Sequence, residues 1–311
     1  MAAAEAMLTG RPSVCIATSG PGVANMLNGL GEAYGDKLPV LALTGQVELK
    51  KIGTEAKQYL EQQVMLRPLA AYSAEIVDAD AVGKVLPLAL LKSLSRKQLT
   101  HVSVPKDLLT KTTTAKVMAR PIGLEPQIIP STEALKAALE AIGASRRPLI
   151  LAGLGARTAM PEVVKLAQSW GAGIVTSLGA KGSISRAEPL YLHGLGQGGS
   201  ASATELISQC DLLMVIGCNW WPTDYVIAEA AQVIQIDINP EAVGCGKTPH
   251  IALIGDASEV TCQIRSELQA KVEPAWAETI ANAKNKWEQH LARDLAQTEI
   301  GRASWRERVY I

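Results

Sequence analysis

Apolar positions along this chain follow two periods, and the switches between them predict the elements. Val14-Cys15-Ile16-Ala17 is a short continuous apolar run with β-branched character, the signature of a buried strand. The polar and glycine-rich run Thr18-Ser19-Gly20-Pro21-Gly22-Val23-Ala24-Asn25 follows, and then Met26, Leu27, Leu30 and Tyr34 recur at helical spacing. Leu38 to Gly45 reads as a second strand. Strand, glycine turn, helix and strand make a βαβ unit whose turn lies at the carboxyl edge of a parallel sheet, where ligands bind. Further on, Asp80 to Leu94 is apolar enough for a buried helix, and His101 to Pro105 is another strand. The threonine-rich stretch from Thr110 to Pro130, with Pro121, Pro126 and Pro130, reads as a linker.

Beyond it, Ser131-Thr132-Glu133 opens a helix carrying Leu135, Ala138, Leu139 and Ile142. Strands are predicted at Pro148–Ala152, Gly173–Ser177, Asp211–Gly217, Val233–Asp237 and Ile251–Ile254. Helices are predicted at Pro161–Trp170, at Ala203–Gln209 and near Asp224–Ala231, and residues 257–298 look helical with one polar side. The alternation implies an α/β chain of two open parallel-sheet domains with helices on both faces, the second of them Rossmann-like. The expected bounds are 1–115 for the first domain, 116–130 for the linker and 131–270 for the central domain. Residues 271–298 then form a helical lead, and 299–311 a polar tail outside the fold.

Bulk properties narrow the function classes. The 311 residues allow two sizeable cores, and 30 basic residues balance 30 acidic ones with no basic stripe. This argues against nucleic acid or an anionic membrane as the main partner. Five cysteines without a CxxC pair lie mostly in apolar stretches, as buried free thiols of a cytoplasmic protein would. No apolar run reaches the roughly 18 residues of a membrane span. The start carries Glu5 and lacks the basic segment of a secretory signal. The histidines lie far apart without metal-ligand spacing. Gly194 to Gly199 (GLGQGG) lacks a following Lys-Ser/Thr and a preceding buried strand, so it reads as a flexible loop.

Two places carry candidate chemistry. Gly20 and Gly22 would let a ligand approach the backbone, and the helix start offers unpaired N–H groups, although turn geometry alone could also require these residues. In the second domain, candidates gather at the carboxyl ends of five strands: Gly153, Gly155, Ala156 and Arg157; Thr176, Ser177 and Lys181; Gly217, Cys218 and Asn219; Asp237, Ile238 and Asn239; Asp256 and Ala257. A crevice must form there. Asp237 could accept both hydrogen bonds of a ribose diol, and Arg157 could offer a fork of donors to phosphate. Thr158 stands where a GxGxxG fingerprint needs its third glycine. The alternative is an empty crevice in a structural domain.

The SGPG run with Ala24-Asn25, followed by Pro39-Val40 and Thr44-Gly45-Gln46, resembles the pyrimidine-binding domain of thiamine-diphosphate enzymes of the acetolactate synthase and pyruvate oxidase group. Ile52 to Gln58 (IGTEAKQ) is similar to that family's IGTDAFQE, and Val102 to Asp107 to its strand ending in PxDL. The resemblance implies that Thr18, Gly20, Pro21, Gly22 and Asn25 wall the aminopyrimidine of thiamine diphosphate across a dimer interface, in a pocket kept dry to protect a carbanion. It places Gln58 near the substrate, where an amide both donates and accepts, although a polar surface role is the alternative. Lys57 stands where the family has Phe and Tyr59 where it has Glu, which alters the pocket's polarity. The crevice residues then match an FAD-binding central domain, with GCNWWPTDYV closer to the oxidase pattern than to the synthase's GARFDDR.

The implied reaction is decarboxylation of a 2-keto acid, pyruvate, followed by oxidation through FAD or addition to a second keto acid. The implied assembly is a homo-oligomer, a dimer or tetramer. Glu5 falls too late to match the family's general acid–base glutamate and reads as a solvated helix residue. That glutamate, and the magnesium motif of a diphosphate-binding domain, are expected outside this sequence. No metal ligand is assigned within it, and the chain by itself is expected to show no thiamine turnover. The run from Glu299 to Val309 resembles a translated sequencing adapter. A reading of another class is a nucleotide-binding module without chemistry.

Overall fold

A computed structural model describes residues 1–116, 128–196, 198–218, 228, 230–269 and 271–297. The chain divides into two compact units between residues 125 and 126.

The first unit runs α1 (Ala2–Thr9), β1 (Ser13–Ala17), α2 (Pro21–Gly35), β2 (Val40–Gln46), α3 (Gln62–Leu66), β3 (Tyr72–Glu75), α4 (Val82–Arg96) and β4 (Thr100–Pro105). Its four strands are all parallel, in the order β1-β2-β4-β3. Side chains alternate across a strand, so the register sorts them onto two unlike faces. One face carries Leu41, Leu43, Val102 and Val104 beneath Val82, Val85, Leu86 and Ala89 of α4. The other aligns Ala42 and Thr44 with His101 and Ser103, and these with Ser73 and Glu75. β3 escapes sequence reading because Tyr-Ser-Ala-Glu has no apolar run; its pairing with β4 makes it a strand. Glu5 is exposed on α1.

The second unit runs α5 (Thr132–Ala144), β5 (Pro148–Ala152), α6 (Met160–Trp170), β6 (Gly173–Thr176), β7 (Tyr191–Gly194), α7 (Ala201–Ile207), β8 (Leu212–Ile216), β9 (Gln232–Asp237), β10 (Ile251–Ile254), α8 (Ala257–Glu267) and α9 (Pro274–Gln297). Its parallel sheet has the order β10-β9-β8-β5-β6-β7. The central strands β5 and β8 are buried along their whole length, which is why they read as continuous apolar runs. Leu135, Ile142, Val163, Leu166 and Ile264 cover one face with Ile150 and Met214. Leu206, Ile207, Trp276 and Ile280 cover the other with Leu149 and Val215.

One expectation changes here. The GLGQGG run is preceded by a largely buried strand, β7, which the sequence hides because only Tyr191 and Leu192 are clearly apolar; Gln197 lies outside the described residues. The stretch expected to be helical from residue 257 holds two helices, α8 and α9, and the second starts at Pro274, whose missing N–H suits a first helical position. The helix expected near Asp224–Ala231 lies mostly outside the described residues, and those described, 228, 230 and 231, are not helical; the tail 299–311 lies outside them entirely. Cys210 and Cys218 are buried, Cys15 and Cys262 half-buried and Cys245 exposed. Among the described residues no helix is long and apolar enough to cross a membrane.

The loops after β5 and β8 interlock backbone to backbone. Gly153 N–H donates to the Ile216 carbonyl at 2.8 Å and Gly155 N–H to the Gly217 carbonyl at 2.9 Å. Gly217 is left-handed (φ 57°), and a Cβ there would stand 2.5 Å from the Gly155 carbonyl carbon and 2.6 Å from the Ala156 nitrogen. Backbone cannot yield as a side chain can. Gly217→Ala is therefore expected to lower stability by about 2–4 kcal/mol, read as a lower urea midpoint. Gly143→Ala in α5, where a Cβ meets nothing within 4 Å, should raise the midpoint slightly.

His101 is fully buried, and burial pulls its pKa down to about 4. A histidine kept neutral in the folded state stabilises fully above the unfolded value near 6.5. That contribution is lost as pH falls from about 6.5 to about 4, because the unfolded chain takes up the proton first. Unfolding of the first unit should thus lose about 3 kcal/mol over this window relative to His101→Gln, measured by urea titration at pH 7, 5.5 and 4.

Candidate functional site

The turn after β1 is built from backbone. α2 starts at Pro21, and Gly20 before it has φ 63° and ψ −111°, a conformation that side-chain-bearing residues avoid. Thr18, Pro21 and Asn25 are exposed, Gly22 is half-buried and Gly20 is buried. What buries Gly20 is Gln58: a Cβ on Gly20 would collide with the Gln58 carbonyl oxygen and stand 3.0 Å from its carbonyl carbon. A Cβ on Gly22 would stand 2.7 Å from the Thr18 methyl group. The structure thus brings Gln58 onto the turn, with its own backbone left-handed (φ 69°) and its residue exposed. Lys57 is exposed and Tyr59 half-buried.

Hydrogen bonds from the end of β2 hold the loop that carries Gln58. Gln46 Nε2 donates to the Leu60 carbonyl at 3.1 Å, and its Oε1 accepts from Val47 N–H at 2.9 Å. Leu49 N–H donates to Asp107 Oδ1 at 3.1 Å. Gln62, fully buried at the start of α3, donates through Nε2 to the Gly45 carbonyl at 2.9 Å. Its Oε1 accepts from the Thr44 hydroxyl at 2.6 Å, and that hydroxyl lies 2.8 Å from His101 Nε2. Sequence reading missed Gln62, Thr44 and His101. The available signal was a histidine inside the strand His101–Pro105 and a glutamine pair, Gln62-Gln63, ahead of an apolar segment. Nearby, burial pushes the Glu75 carboxyl up, partly offset by the Ser103 hydroxyl donating to it.

Pro21 and Asn25 lie exposed at the helix start, beside a turn in which Gly20 is covered by the Gln58 backbone and Gly22 is half-buried.

In the second unit the candidate crevice residues divide into engaged and available groups. Gly153 and Ala156 are buried and Gly155 exposed, and Arg157 is half-buried just after the single turn Leu154–Ala156. Thr176 is fully buried, with its hydroxyl 3.1 Å from the Tyr191 hydroxyl and its carbonyl accepting from Leu195 N–H at 2.9 Å. Ser177 is half-buried with its N–H on the Ala152 carbonyl, and Lys181 is exposed. Gly217 and buried Cys218 end β8; Asn219 lies outside the described residues. Half-buried Asp237 accepts from Asn239 N–H at 2.9 Å, and Asn239 Oδ1 accepts from Glu241 N–H at 3.0 Å. Asp256 caps α8, accepting from Ser258 N–H at 2.9 Å and Glu259 N–H at 3.3 Å. Ile238 and Ala257 are half-buried. Buried Gln235 was not anticipated: it donates to the Ala242 carbonyl at 3.0 Å and accepts from Gly244 N–H at 2.9 Å, bracing the loop after β9.

The carboxylates here are largely occupied by backbone N–H groups, whereas Arg157 and Lys181 present cationic donors. That balance suits an anionic dinucleotide such as FAD. Among the described residues no group of three His, Cys, Asp or Glu side chains could hold a metal ion.

Comparison with known proteins agrees with both units. The thiamine pyrophosphate enzyme N-terminal TPP binding domain matches residues 1–66, and the thiamine pyrophosphate enzyme central domain matches residues 135–264. The chain is 32% identical to acetolactate synthase 1 of Zea mays over 82% of this chain and 41% of the relative. It is 29% identical to sulfoacetaldehyde acetyltransferase of Rhodobacter capsulatus over 96% and 53%. With pyruvate oxidase of Lactiplantibacillus plantarum the identity is 28% over 94% and 49%. The chain spans about half the length of the curated relatives it matches. A glycine turn braced by a distant loop, a doubly wound second unit and these matches lead to one conclusion: the chain belongs to the thiamine pyrophosphate enzymes and carries their N-terminal and central domains.

Proposed function

We propose that the whole protein decarboxylates a 2-keto acid, pyruvate, with thiamine diphosphate, in the manner of a pyruvate oxidase or quinone-linked dehydrogenase. The observation that carries this reading is the seating of Gln58 on Gly20, which puts an exposed amide beside the turn expected to wall the coenzyme ring. When bound, thiamine diphosphate supplies a carbon centre that takes up the electron pair released with carbon dioxide. Thr18, Pro21, Gly22 and Asn25 present backbone and short side chains to the aminopyrimidine and keep water from one side of it, with Gly20 setting the turn beneath them. Gln58 orients the keto acid by donating to its carbonyl or carboxylate oxygen. Magnesium and the diphosphate are assigned to another part of the whole protein, with the ring site completed by a partner subunit.

In the central unit, Arg157 and Lys181 would hold the phosphates of FAD, and Asp237 its ribose. The backbone at Gly153, Gly155, Ser177, Gly217 and Asn239 would line the crevice. The oxidase-like run Gly217 to Val226 lies mostly outside the described residues. A second reading, an acetolactate synthase-like carboligase, is favoured by the higher identity to the Zea mays enzyme, 32% against 28% for the oxidase. The two part on one assay of the whole protein with pyruvate. Reduction of a quinone or ferricyanide supports the first, and acetolactate without acceptor reduction supports the second.

Two outcomes are expected. FAD titrated into the purified chain should bind with quenching of flavin fluorescence. Arg157→Ala should weaken that binding about tenfold, the worth of one charge-assisted contact, and Thr176→Val should leave it unchanged. An identical titration for Arg157→Ala would remove Arg157 from the site. In the whole enzyme, Gln58→Ala should lower kcat/KM for the keto acid by about 10–100-fold; a variant with unaltered steady-state kinetics would leave Gln58 with a surface role.

A further inference from the structure

We propose that His101 is a positioning residue: a hydrogen-bond chain of one direction, from Ser73 through His101, Thr44 and Gln62 to the Gly45 carbonyl, holds the Gln58 loop on the Gly20 turn. The proposal rests on the reading of that turn as the coenzyme edge, and goes beyond it by assigning buried residues a task.

The direction follows from donor counting. The Gly45 carbonyl can only accept, so the Gln62 amide must present Nε2 to it, at 2.9 Å, and Oε1 to Thr44. The Thr44 hydroxyl then spends its one hydrogen on Gln62, at 2.6 Å, and can only accept from His101 Nε2 at 2.8 Å. His101 therefore carries its proton on Nε2. Its Nδ1 is left to accept from the Ser73 hydroxyl, also at 2.8 Å. Thr44, Gln62 and His101 are each no more than 1% exposed, so no water can substitute for a lost partner. A flipped Gln62 amide would set its Nε2 against a hydroxyl already bonded and its oxygen against the Gly45 carbonyl. One neutral tautomer of His101 thus selects one rotamer of Gln62.

That rotamer matters because of what it anchors. Gln62 begins α3 just after the loop's return leg, and its own N–H bonds the Leu60 carbonyl at 2.9 Å. The same carbonyl accepts from Gln46 Nε2. Gln58 is a non-glycine in the left-handed region, a conformation that costs about 1 kcal/mol and persists only where its surroundings over-determine it. The turn refers to the same strand end, since a Cβ on Gly45 would lie 3.5 Å from Ser19 N. Both partners of the Gly20–Gln58 contact are therefore measured from Thr44, Gly45 and Gln46. Half-buried Gln63, bonded to buried Ser103 on this face, leads instead to Glu75 on the edge strand β3.

The test is hydrogen–deuterium exchange on the full chain, comparing residues 52–62 with the strands β2 and β4, for His101→Leu, Thr44→Val and the milder Ser73→Ala. Positioning predicts that exchange in 52–62 rises about tenfold in His101→Leu and Thr44→Val, and less in Ser73→Ala, while β2 and β4 change little. It also predicts that trypsin cuts faster after Lys57, and that the double variant Thr44→Val with His101→Leu loosens the loop no further than either alone. Uniform acceleration across β2, β4 and the loop, or an unchanged loop in Ser73→Ala and Thr44→Val, would overturn the proposal and leave His101 a core residue. The whole enzyme separates this from the functional reading. A loosened loop with unaltered turnover keeps the positioning role and removes Gln58 from catalysis, whereas a loosened loop with raised KM supports both.

Discussion

Backbone meeting backbone at the carboxyl ends of parallel strands is the constraint on which the candidate sites depend. In the first unit the Gln58 carbonyl lies too close to Gly20 to leave room for a Cβ; in the second, Gly153 and Gly155 press against Gly217 and Cys218. Each contact joins segments far apart in sequence, and each needs a residue without a side chain. Parallel strands deliver all their carboxyl ends to one edge, so the loops leaving them crowd together there. Glycine lets such loops close to van der Waals distance and leaves N–H and C=O groups, rather than side chains, as the lining.

The glycines that invite a ligand reading therefore have an internal task first. Gly20 and Gly153 are buried by their own chain, and the surfaces open to a ligand belong to their neighbours: Pro21 and Asn25 at one edge, Gly155, Arg157 and Lys181 at the other. A turn that had to satisfy only a cofactor could relax between ligands. One locked by a second loop keeps its shape without a ligand, which lowers the ordering needed on binding.

The two faces of the first unit's sheet differ in kind. Its sheet has an apolar face under α4 and a polar face on which His101, Thr44, Ser73, Ser103 and Glu75 meet Gln62 and Gln63 of α3. Polar groups buried in this way stabilise little beyond matching what water offered, and they are costly when unpaired. Their directional bonds instead distinguish one loop position from its near alternatives. The second unit is held by two apolar layers, with Gln235 as its local polar brace.

Much of this protein was legible in its residues. Continuous apolar runs marked β5 and β8 because a central parallel strand is buried on both faces, and the 3.6-residue period marked α2, α5 and α6 because each buries one stripe. SGPG marked a strand-to-helix turn because the backbone there leaves little choice of residue. β3 and β7 stayed hidden, since Tyr72–Glu75 and Tyr191–Gly194 owe their extended form to a neighbouring strand. The same limit applied to Thr176, whose place at a strand end suggested a ligand contact while the fold turned its hydroxyl toward Tyr191. His101 looked like an isolated histidine, and only pairing with β2 and β3 supplied Thr44 and Ser73. Local sequence thus determined the elements and the turn, because these depend on residues a few positions apart. Which groups face one another across strands and loops was decided by the tertiary structure, through register and side-chain direction that no short window of sequence contains.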